Sequence, residues 1–343
     1  LLYNEVYMST NRIITNSKVL VTGGAGFIGS NLCEALLQQS NEVVCLDNFM
    51  TGHRKNIESF HSNNNFSLIE GDIRNYDDCK KAVKDCDYVL HQAALGSVPR
   101  SIKDPITATD VNISGFVKML YAATKAKVKR FVYAASSSTY GDHTDLPKEE
   151  YKIGKPLSPY AITKLTNEFY AGNFSEIYGI ETVGLRYFNV FGRRQDPNGA
   201  YAAVIPKFVI QLMKHQSPNI NGDGLFSRDF TYIDNVIQAN QLATLTPKEN
   251  LYQTKTNHEV FNVAIGERTT LNELVDILKI KLAAFDSKIT SIITKHGPNR
   301  VGDIPHSLAS IEKAKDLLGY NPEYNVELGL EETCNWYYNN LKL

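Results

Sequence analysis

The chain has 343 residues and a formal net charge of −1, with 36 Lys and Arg against 37 Asp and Glu. This balance leaves no global field that would attract nucleic acid or a membrane surface, and no apolar run is long enough to span a bilayer. Hydrophobic residues make up 43% and charged residues 21%, which is typical of a globular protein, and the length suggests about two domains or one large domain with an appendage.

The cysteine and histidine patterns predict neither disulfides nor a bound metal. The five cysteines are odd in number and include no CxxC pair, and the eight histidines are scattered without ligand spacing. We therefore expect a reducing, cytoplasmic location. Residues 1–17 are mostly polar, so they predict an N-terminal arm ahead of the first strand rather than a signal peptide.

From Lys18 onward, short apolar runs alternate with helical stretches. This alternation predicts a parallel sheet with helices on both faces. The predicted strands are 19–22, 42–47, 66–72, 88–92, 130–136 and 180–186, and the predicted helices are 27–39, 110–126 and 158–178. After Asn189 the pattern is less regular, with short helices predicted near 235–244, 269–285, 308–318 and 327–341.

The stretch TGGAGFIG at 22–29 lies between the first strand and its helix, where a dinucleotide site is expected. Its glycines permit a tight turn and a close approach of the backbone to a pyrophosphate, at a helix N-terminus that favours anions. The Gly-x-x-Gly-x-x-Gly spacing differs from the GxGxxG fingerprint, but its strand–turn–helix context is the required one.

Asp47 ends the second strand, 21 residues after Gly26. A carboxylate in that place accepts ribose hydroxyls and repels a 2′-phosphate, which favours NAD over NADP; the alternative is a residue that only forms the turn. We expect Asp72 and Ile73 to flank the adenine and Gln92 and Ala93 to line the nicotinamide side. The predicted cofactor-binding residues at the strand ends are Gly23, Gly26, Phe27, Ile28, Gly29, Asp47, Asn48, Asp72, Ile73, Gln92 and Ala93.

These features together predict a Rossmann-type doubly wound parallel α/β sheet with a smaller mixed α/β C-terminal substrate lobe. We expect residues 18–188 to form the NAD-binding domain, including the helix at 158–178. Residues 189–343 are predicted to form the substrate-binding lobe, part of which returns to the main sheet.

The stretch SPYAITKLTNEFY at 158–170 places Tyr160 and Lys164 on one face of its helix. An ammonium near a phenol lowers the phenol's pKa, which suits a general base near neutral pH. Taken alone, the pair fits an ordinary amphipathic helix better, because both residue types are common there.

The motifs taken together resemble the extended short-chain dehydrogenase/reductase family. The chain is particularly similar to the nucleotide-sugar 4-epimerases of that family and, among them, to the bacterial UDP-N-acetylglucosamine 4-epimerases of surface-polysaccharide synthesis. The motifs are TGGAGFIG at 22–29, Asp47-Asn48, Gly71-Asp72-Ile73, HQAALGSVPRS at 91–101, AASSSTYGDH at 134–143, YAITK at 160–164, RYFNVFG at 186–192, FGRRQDPNGAYAAVIP at 191–206 and SRDF at 227–230.

The resemblance implies specific roles for the catalytic residues. Tyr160 accepts and returns a proton, Lys164 binds the nicotinamide ribose and lowers the pKa of Tyr160, and Ser136 hydrogen-bonds the sugar oxygen. Related 4,6-dehydratases carry Asp and Glu where this chain has Ser137 and Ser138, and water elimination needs such an acid and base. A redox-neutral 4-epimerase is therefore favoured, acting through a transient 4-keto sugar with tightly bound NAD that is not consumed.

The resemblance also implies how the UDP-sugar binds. Arg228 and Arg300 contact the diphosphate, and small residues at Gly96 and Ser307 leave room for an N-acetyl group. The competing interpretations are surface salt bridges for the arginines and plain turn positions for the small residues. The implied substrate-binding residues are Gly96, Ser97, Ser136, Ser137, Ser138, Asn189, Gln195, Ala203, Val204, Lys207, Asn221, Arg228, Arg300, Asp303 and Ser307.

Among substrates, UDP-GlcNAc and UDP-GalNAc are favoured. UDP-glucose remains open as a substrate. UDP-N-acetylglucosaminuronate also remains open, because Arg100 would form an ion pair with its carboxylate. Two further functions also remain open: an NAD-dependent oxidoreductase that releases reduced cofactor, and a non-catalytic NAD-binding protein. The resemblance further implies a homodimer through the helices at 110–126 and 158–178, and neither nucleic acid nor a membrane is an expected partner.

Overall fold

A seven-stranded parallel sheet is the centre of the protein. The computed structural model describes residues 12–198, 203–252, 256–298 and 304–341. The strands, in chain order, are β1 (Lys18–Thr22), β2 (Glu42–Asp47), β3 (Phe66–Glu70), β4 (Tyr88–His91), β5 (Arg130–Ser136), β6 (Thr182–Tyr187), β7 (Val190–Phe191), β8 (Asn219–Asn221), β9 (Ser227–Arg228), β10 (Thr231–Tyr232), β11 (His258–Val263), β12 (Thr269–Thr270) and β13 (Lys295–Gly297).

The sheet has the order β11-β6-β5-β4-β1-β2-β3, and every neighbouring pair in it is parallel. The chain builds outward from β1 to β3 and then returns to place β4 on the other side of β1. This reversal opens a crevice at the carboxyl ends of β1 and β4, which is where ligands bind in such sheets. The predicted fold class is therefore confirmed.

Helices cover both faces of the sheet. They are α1 (Phe27–Gln38), α2 (Tyr76–Ala82), α3 (Val98–Lys103), α4 (Pro105–Thr109), α5 (Phe116–Ala126), α6 (Pro159–Tyr178), α7 (Val204–Met213), α8 (Ile233–Leu245), α9 (Lys248–Leu251), α10 (Leu271–Ala283), α11 (Glu312–Leu318) and α12 (Val326–Asn340). A π-helical segment at Asp110–Gly115 leads into α5, so the predicted helix at 110–126 has two parts.

The strand pattern explains the two layers of helices. Val19 and Val21 of β1 point into one buried cluster with residues of α1 and α8, whereas Leu20 points into a second cluster with residues of α5. Because side chains alternate along a strand and both faces are covered, the central strands are apolar almost throughout. Few of their residues are exposed to water.

Helix α6 has clear sequence signals at both ends. The hydroxyl of Ser158 accepts a hydrogen bond from the amide of Ala161 at 3.1 Å, and Pro159 is the first helical residue. Gly179 ends the helix with a φ of +73°, a conformation that glycine adopts without strain. These signals place Tyr160 and Lys164 in the first two turns, next to the carboxyl end of β5.

Strand β11 brings part of the C-terminal sequence into the main sheet. Residues His258–Val263 pair in parallel with β6, although the sequence analysis assigned no strand there. The stretch HEVFNV contains only three apolar residues, too few to show a clear strand periodicity in the sequence. The boundary at residues 188/189 stays a prediction. None of the helices in the described part of the chain has the length and hydrophobicity needed to cross a membrane.

Candidate active site

A cavity of about 450 Å³ opens at the carboxyl ends of β1 to β4. Its wall includes the loops that follow these four strands and the first turn of α1. All the cofactor positions predicted at the strand ends line it, namely Gly23, Gly26, Phe27, Ile28, Gly29, Asp47, Asn48, Asp72, Ile73, Gln92 and Ala93. The wall continues through Gly96, Ser97 and Arg100.

The glycine loop forms a tight cradle at the N-terminus of α1. Gly23 has a φ of +68°, and a Cβ on Gly29 would lie 2.1 Å from the carbonyl oxygen of Gly23. No side chain caps the first amides of the helix at Gly26, and its first turn carries no acidic residue. Free amide donors and the helix dipole are therefore available to a phosphate.

Asp47 is fixed beneath this loop by backbone amides. Its Oδ2 accepts from the amide of Ala25 at 2.9 Å and its Oδ1 from the amide of Phe49 at 2.8 Å. Burial raises the pKa of Asp47, and the two amide bonds oppose that shift. Each carboxylate oxygen keeps a further lone pair, so the residue remains able to accept hydroxyl donors.

Asp72 is held ionised at the adjoining strand end. Its carboxylate pairs with Arg74 at 2.7 Å and accepts from the side chain of Asn48 at 2.8 Å. The Arg74 guanidinium lowers the pKa of Asp72 to about 2. Two of the predicted cofactor residues, Asn48 and Asp72, are therefore bonded to each other at the edge of the cavity.

The catalytic candidates meet where β5 ends beside α6. The Oγ of Ser136 accepts from the amide of Ser138 at 3.2 Å and from its hydroxyl at 2.9 Å. Lys164 is only 3% exposed, and its ammonium donates to the carbonyl of Ala134 at 2.8 Å. The ammonium lies 5.9 Å from the ring centre of Tyr160. The structure thus brings Ser136, Tyr160 and Lys164 together.

Burial acts on the two ionisable groups in opposite directions. It lowers the pKa of Lys164 to about 8, so the ammonium form still predominates at neutral pH. It raises the pKa of Tyr160, and the hydrogen bond with Ser136 lowers it. In this structure the Tyr160 pKa therefore moves opposite to the direction expected from Lys164 alone, and Ser136 is the group that favours the phenolate.

Helix α3 joins the catalytic group to the cavity wall. The amide of Tyr160 donates to the hydroxyl of Ser101 at 3.0 Å, and α3 begins at the wall residues Gly96 and Ser97. Ser97 has a φ of +95° and caps the helix through the amide of Arg100. A Cβ on Gly96 would meet no atom within 4 Å, so this part of the wall is open.

Three of the implied substrate residues lie in or bond to the segment 227–229. The side-chain amide of Asn189 donates to the carbonyl of Asp229 at 3.0 Å. Arg228 donates to the carbonyl of Pro305 at 3.1 Å, and the amide of Ser307 donates to the carbonyl of Ser227 at 3.0 Å.

The remaining implied substrate residues are more scattered. The side-chain amide of Gln195 donates to the carbonyl of Val190 in the same loop at 3.1 Å. The Oε1 of Gln195 is buried and has no hydrogen-bond partner among the described residues. Ala203 precedes α7, Val204 and Lys207 lie in its first turns, and Asn221 ends β8. Arg300 and Asp303 lie outside the described residues.

A sequence profile of the NAD-dependent epimerase/dehydratase family matches residues 19–264. The chain belongs to this family. It is 36% identical over 324 residues to a putative UDP-glucose 4-epimerase of Methanocaldococcus jannaschii, covering 94% of this chain and 99% of the relative.

Solved structures agree with this membership. The UDP-N-acetylglucosamine 4-epimerase of Methanobrevibacter ruminantium, in complex with UDP-N-acetylmuramic acid, superposes with a TM-score of 0.87 at 37% identity, covering 96% of this chain and 100% of that one. The UDP-glucuronic acid 4-epimerase of Bacillus cereus, in complex with UDP-glucuronic acid and NAD, gives 0.80 at 32% identity, with coverages of 94% and 99%.

NAD is the cofactor of this epimerase/dehydratase family, and the residues of the cavity fit it. Gly23 and Gly29 allow the loop to pack closely against α1 and the segment after β4, where a Cβ would collide with backbone atoms, and Asp47 offers acceptors where the adenosine ribose lies in such folds. No carboxylate occupies the first turn of α1 to repel the pyrophosphate.

Two residues that line the cofactor cavity of this family member were not predicted from the sequence. Thr51 and Gly52 line it, and a Cβ on Gly52 would lie 2.9 Å from the Asp47 carboxylate. The Thr-Gly pair four residues after Asp47 was the available signal. Thr22 also bonds His91 Nδ1 at 2.8 Å and accepts the amide of Ala93 at 3.2 Å. Burial lowers the pKa of His91 to about 3, so the ring stays neutral.

Proposed function

We propose that this chain catalyses redox-neutral epimerisation at C4 of a UDP-hexose, with UDP-GlcNAc and UDP-GalNAc as the preferred pair. The observation that carries the proposal is the group of Ser136, Tyr160 and Lys164 at the carboxyl end of β5, beside a cavity fitted to NAD. The family membership and the UDP-sugar 4-epimerases among its relatives support the same reaction.

In the proposed mechanism, Tyr160 is the residue that accepts and returns a proton. The phenolate accepts the proton of the sugar 4-hydroxyl as the C4–H bond breaks, and it returns that proton after the transient 4-keto sugar has turned over. Bound NAD supplies a reversible hydride acceptor for C4. Ser136 orients the sugar oxygen, and the Lys164 ammonium stabilises negative charge on Tyr160.

Ser137 and Ser138 support epimerisation over dehydration. In this structure the hydroxyl of Ser138 donates to Ser136, and neither serine offers the carboxyl group that removal of water requires. Positions 137 and 138 therefore supply no acid–base pair that would eliminate the 6-hydroxyl of a 4-keto sugar.

The open wall at Gly96 supports a substrate with an N-acetyl group. No atom lies within 4 Å of a Cβ built there, and Ser307 is also small. A uronate is the second candidate, because Arg100 lines the same cavity and a guanidinium pairs well with a carboxylate.

We also propose that the protein is a homodimer through α6. Ile162, Phe169 and Ile177 are spaced seven and eight residues apart, and all three are exposed, with 67% of Phe169 accessible to solvent. Such spacing places them on one stripe of the helix, and a row of exposed apolar side chains is typical of an interface.

The test is proton NMR of a catalytic amount of the protein with UDP-GlcNAc and, separately, UDP-glucose, without added NAD. We expect UDP-GalNAc to appear, faster than UDP-galactose appears from UDP-glucose. If neither product forms, the measurement is repeated with added NAD and, separately, with UDP-N-acetylglucosaminuronate. Turnover of the first two sugars with added NAD indicates lost cofactor, and turnover of the uronate alone indicates a uronate substrate.

Absorbance at the NADH band separates epimerisation from the oxidoreductase and the non-catalytic binding protein. Stoichiometric NADH on addition of any UDP-sugar would contradict epimerisation and indicate a dehydrogenase. Absence of turnover with all three sugars, in protein shown to contain NAD, would contradict the proposed catalysis and favour a non-catalytic NAD-binding protein.

A further inference from the structure

One buried carboxylate in the C-terminal lobe is bonded to three backbone amides. Asp229 is 0% exposed. Its Oδ1 accepts from Ile265 at 3.1 Å, and its Oδ2 accepts from Gly266 and Ala309, both at 3.2 Å. Burial raises the pKa of Asp229 to about 7, and these amide bonds oppose that shift. All three partners are donors, so the ionised carboxylate accepts them without a proton of its own that would need a further partner.

Asp229 lies next to the implied substrate residues without being one of them. Its carbonyl accepts the side chain of Asn189 at 3.0 Å, and it directly follows Arg228 in the chain. Ala309, which donates to its carboxylate, follows Ser307 by two residues.

Residues 304–310, which we call the strap, are held from two sides by backbone hydrogen bonds. Ser227 holds one side through two bonds of 3.0 Å, and Lys148 holds the other through two bonds of 2.7 and 2.9 Å. Neither pair uses the amide of Ala309. Asp229 therefore adds a further attachment at Ala309, between the two strap residues that are bonded to Lys148.

We propose that Asp229 is a positioning residue for the UDP-sugar. Its carboxylate fastens the strap and the turn at Ile265 and Gly266 to the segment that carries Arg228, so that Arg228 and Ser307 face one ligand in a fixed geometry. This inference rests on the proposed function, because it takes the ligand to be a UDP-sugar.

Removal of the Asp229 carboxylate is expected to affect binding of the UDP-sugar more than the rate of the chemical step. The described hydrogen bonds of Ser136, Tyr160 and Lys164 involve neither Asp229 nor the strap. The NAD cavity is built from the ends of β1 to β4 and α1. Loss of the carboxylate is therefore expected to raise KM for the UDP-sugar and the Kd for UDP while kcat and NAD content change little.

Asp229→Asn is the sharpest variant, because the two side chains have the same shape. The amide nitrogen of Asn is itself a donor and would face a backbone N–H, so at least one of the three bonds is lost. With NAD-loaded protein, calorimetric titration of UDP is expected to give a Kd about tenfold higher than wild type, the effect of about one hydrogen bond to a charged group. We expect kcat to stay within about threefold.

A second buried polar residue of the same lobe provides the matched control. Asn235 accepts from the amide of Tyr324 at 3.1 Å and donates to its carbonyl at 2.8 Å, away from the strap. Asn235→Ala is expected to lower the thermal midpoint while leaving the Kd for UDP at the wild-type value. An unchanged Kd in Asp229→Asn, or an equal rise in Asn235→Ala, would overturn the proposal.

Hydrogen exchange of the wild-type protein tests the same idea if Asp229→Asn does not fold. Addition of UDP is expected to slow exchange in peptides covering 304–310 and 264–267 together, because Asp229 joins them. Slowing in the first peptide alone contradicts the proposal. The UDP titration needs no turnover, so a wild-type protein that epimerises no sugar contradicts the proposed function without deciding the role of Asp229.

Discussion

Lys164 is buried and Tyr160 is half-buried, and the chemistry of both residues depends on that burial. We predict that Tyr160→Phe reduces epimerisation by about two to four orders of magnitude, the usual contribution of a positioned proton-transfer group. NAD should remain bound, because the phenylalanine ring keeps the packing. NMR turnover and the NAD content of the purified variant measure the two effects; a variant that turns over within tenfold of wild type would remove Tyr160 from the mechanism.

The ionisation of Lys164 predicts an alkaline limit to activity. Burial lowers its pKa to about 8, so the ammonium is present below that pH and is lost as pH rises through it. Loss of the charge removes a favourable interaction with the Tyr160 phenolate. We expect kcat to fall above about pH 8, measured at saturating UDP-sugar, and a flat profile from pH 7 to 10 would contradict this role for Lys164.

Individual binding residues were predictable from the sequence where the side chain itself supplies the group that contacts the ligand. Asp47, at the end of β2, lines the cavity as its position in the sequence suggested. The net direction of the Tyr160 pKa was not predictable, because it depends on how the folded chain buries the phenol. Asp229 was overlooked as a positioning residue for a similar reason, since two of its amide partners lie more than 35 residues away and the third lies about 80 away.

At the scale of elements, the glycine loop and α1 form one unit whose geometry tolerates no side chain. A Cβ on Gly29 would lie 2.1 Å from the carbonyl oxygen of Gly23. We predict that Gly29→Ala shifts the loop and abolishes tight NAD retention, measured as NAD released per mole of purified protein. Gly297→Ala is the control, because its Cβ would meet its nearest atom at 3.6 Å. Full NAD content in Gly29→Ala would contradict the proposed cradle.

The elements differ in how far local sequence specifies them. Helix α6 has a Ser-Pro start and a Gly end, and both signals are used in the structure, so its prediction was confirmed within a residue or two. Strand β11 was missed because HEVFNV becomes a strand only through pairing with β6. Helix α7 was also missed, since it contains a proline at 206 in its first turn, where proline is tolerated but easily mistaken for a break.

The exposed stripe on α6 leads to a prediction about the whole molecule. Phe169 is 67% exposed, with Ile162 and Ile177 on the same side of the helix. Phe169→Glu places a charge in the middle of that stripe, and burial of an unpaired charge opposes association. Sedimentation analysis is expected to show a dimer for wild type and a monomer for the variant. Ile280→Glu is the control, because Ile280 is an equally exposed apolar residue (68%) on α10, and a wild-type monomer would contradict the dimer proposal.

The sequence by itself determined the sheet of alternating strands and helices, the cofactor loop and the Tyr-x-x-x-Lys pair. Each of these depends on residues close together in the chain: apolar periodicity, glycines that allow a turn, and helix caps. Only the tertiary structure decided that β11 completes the sheet, that Ser136 favours the Tyr160 phenolate, and that Asp229 joins the strap to Arg228. These features depend on burial and on hydrogen bonds between distant segments, which exist only once the chain has packed.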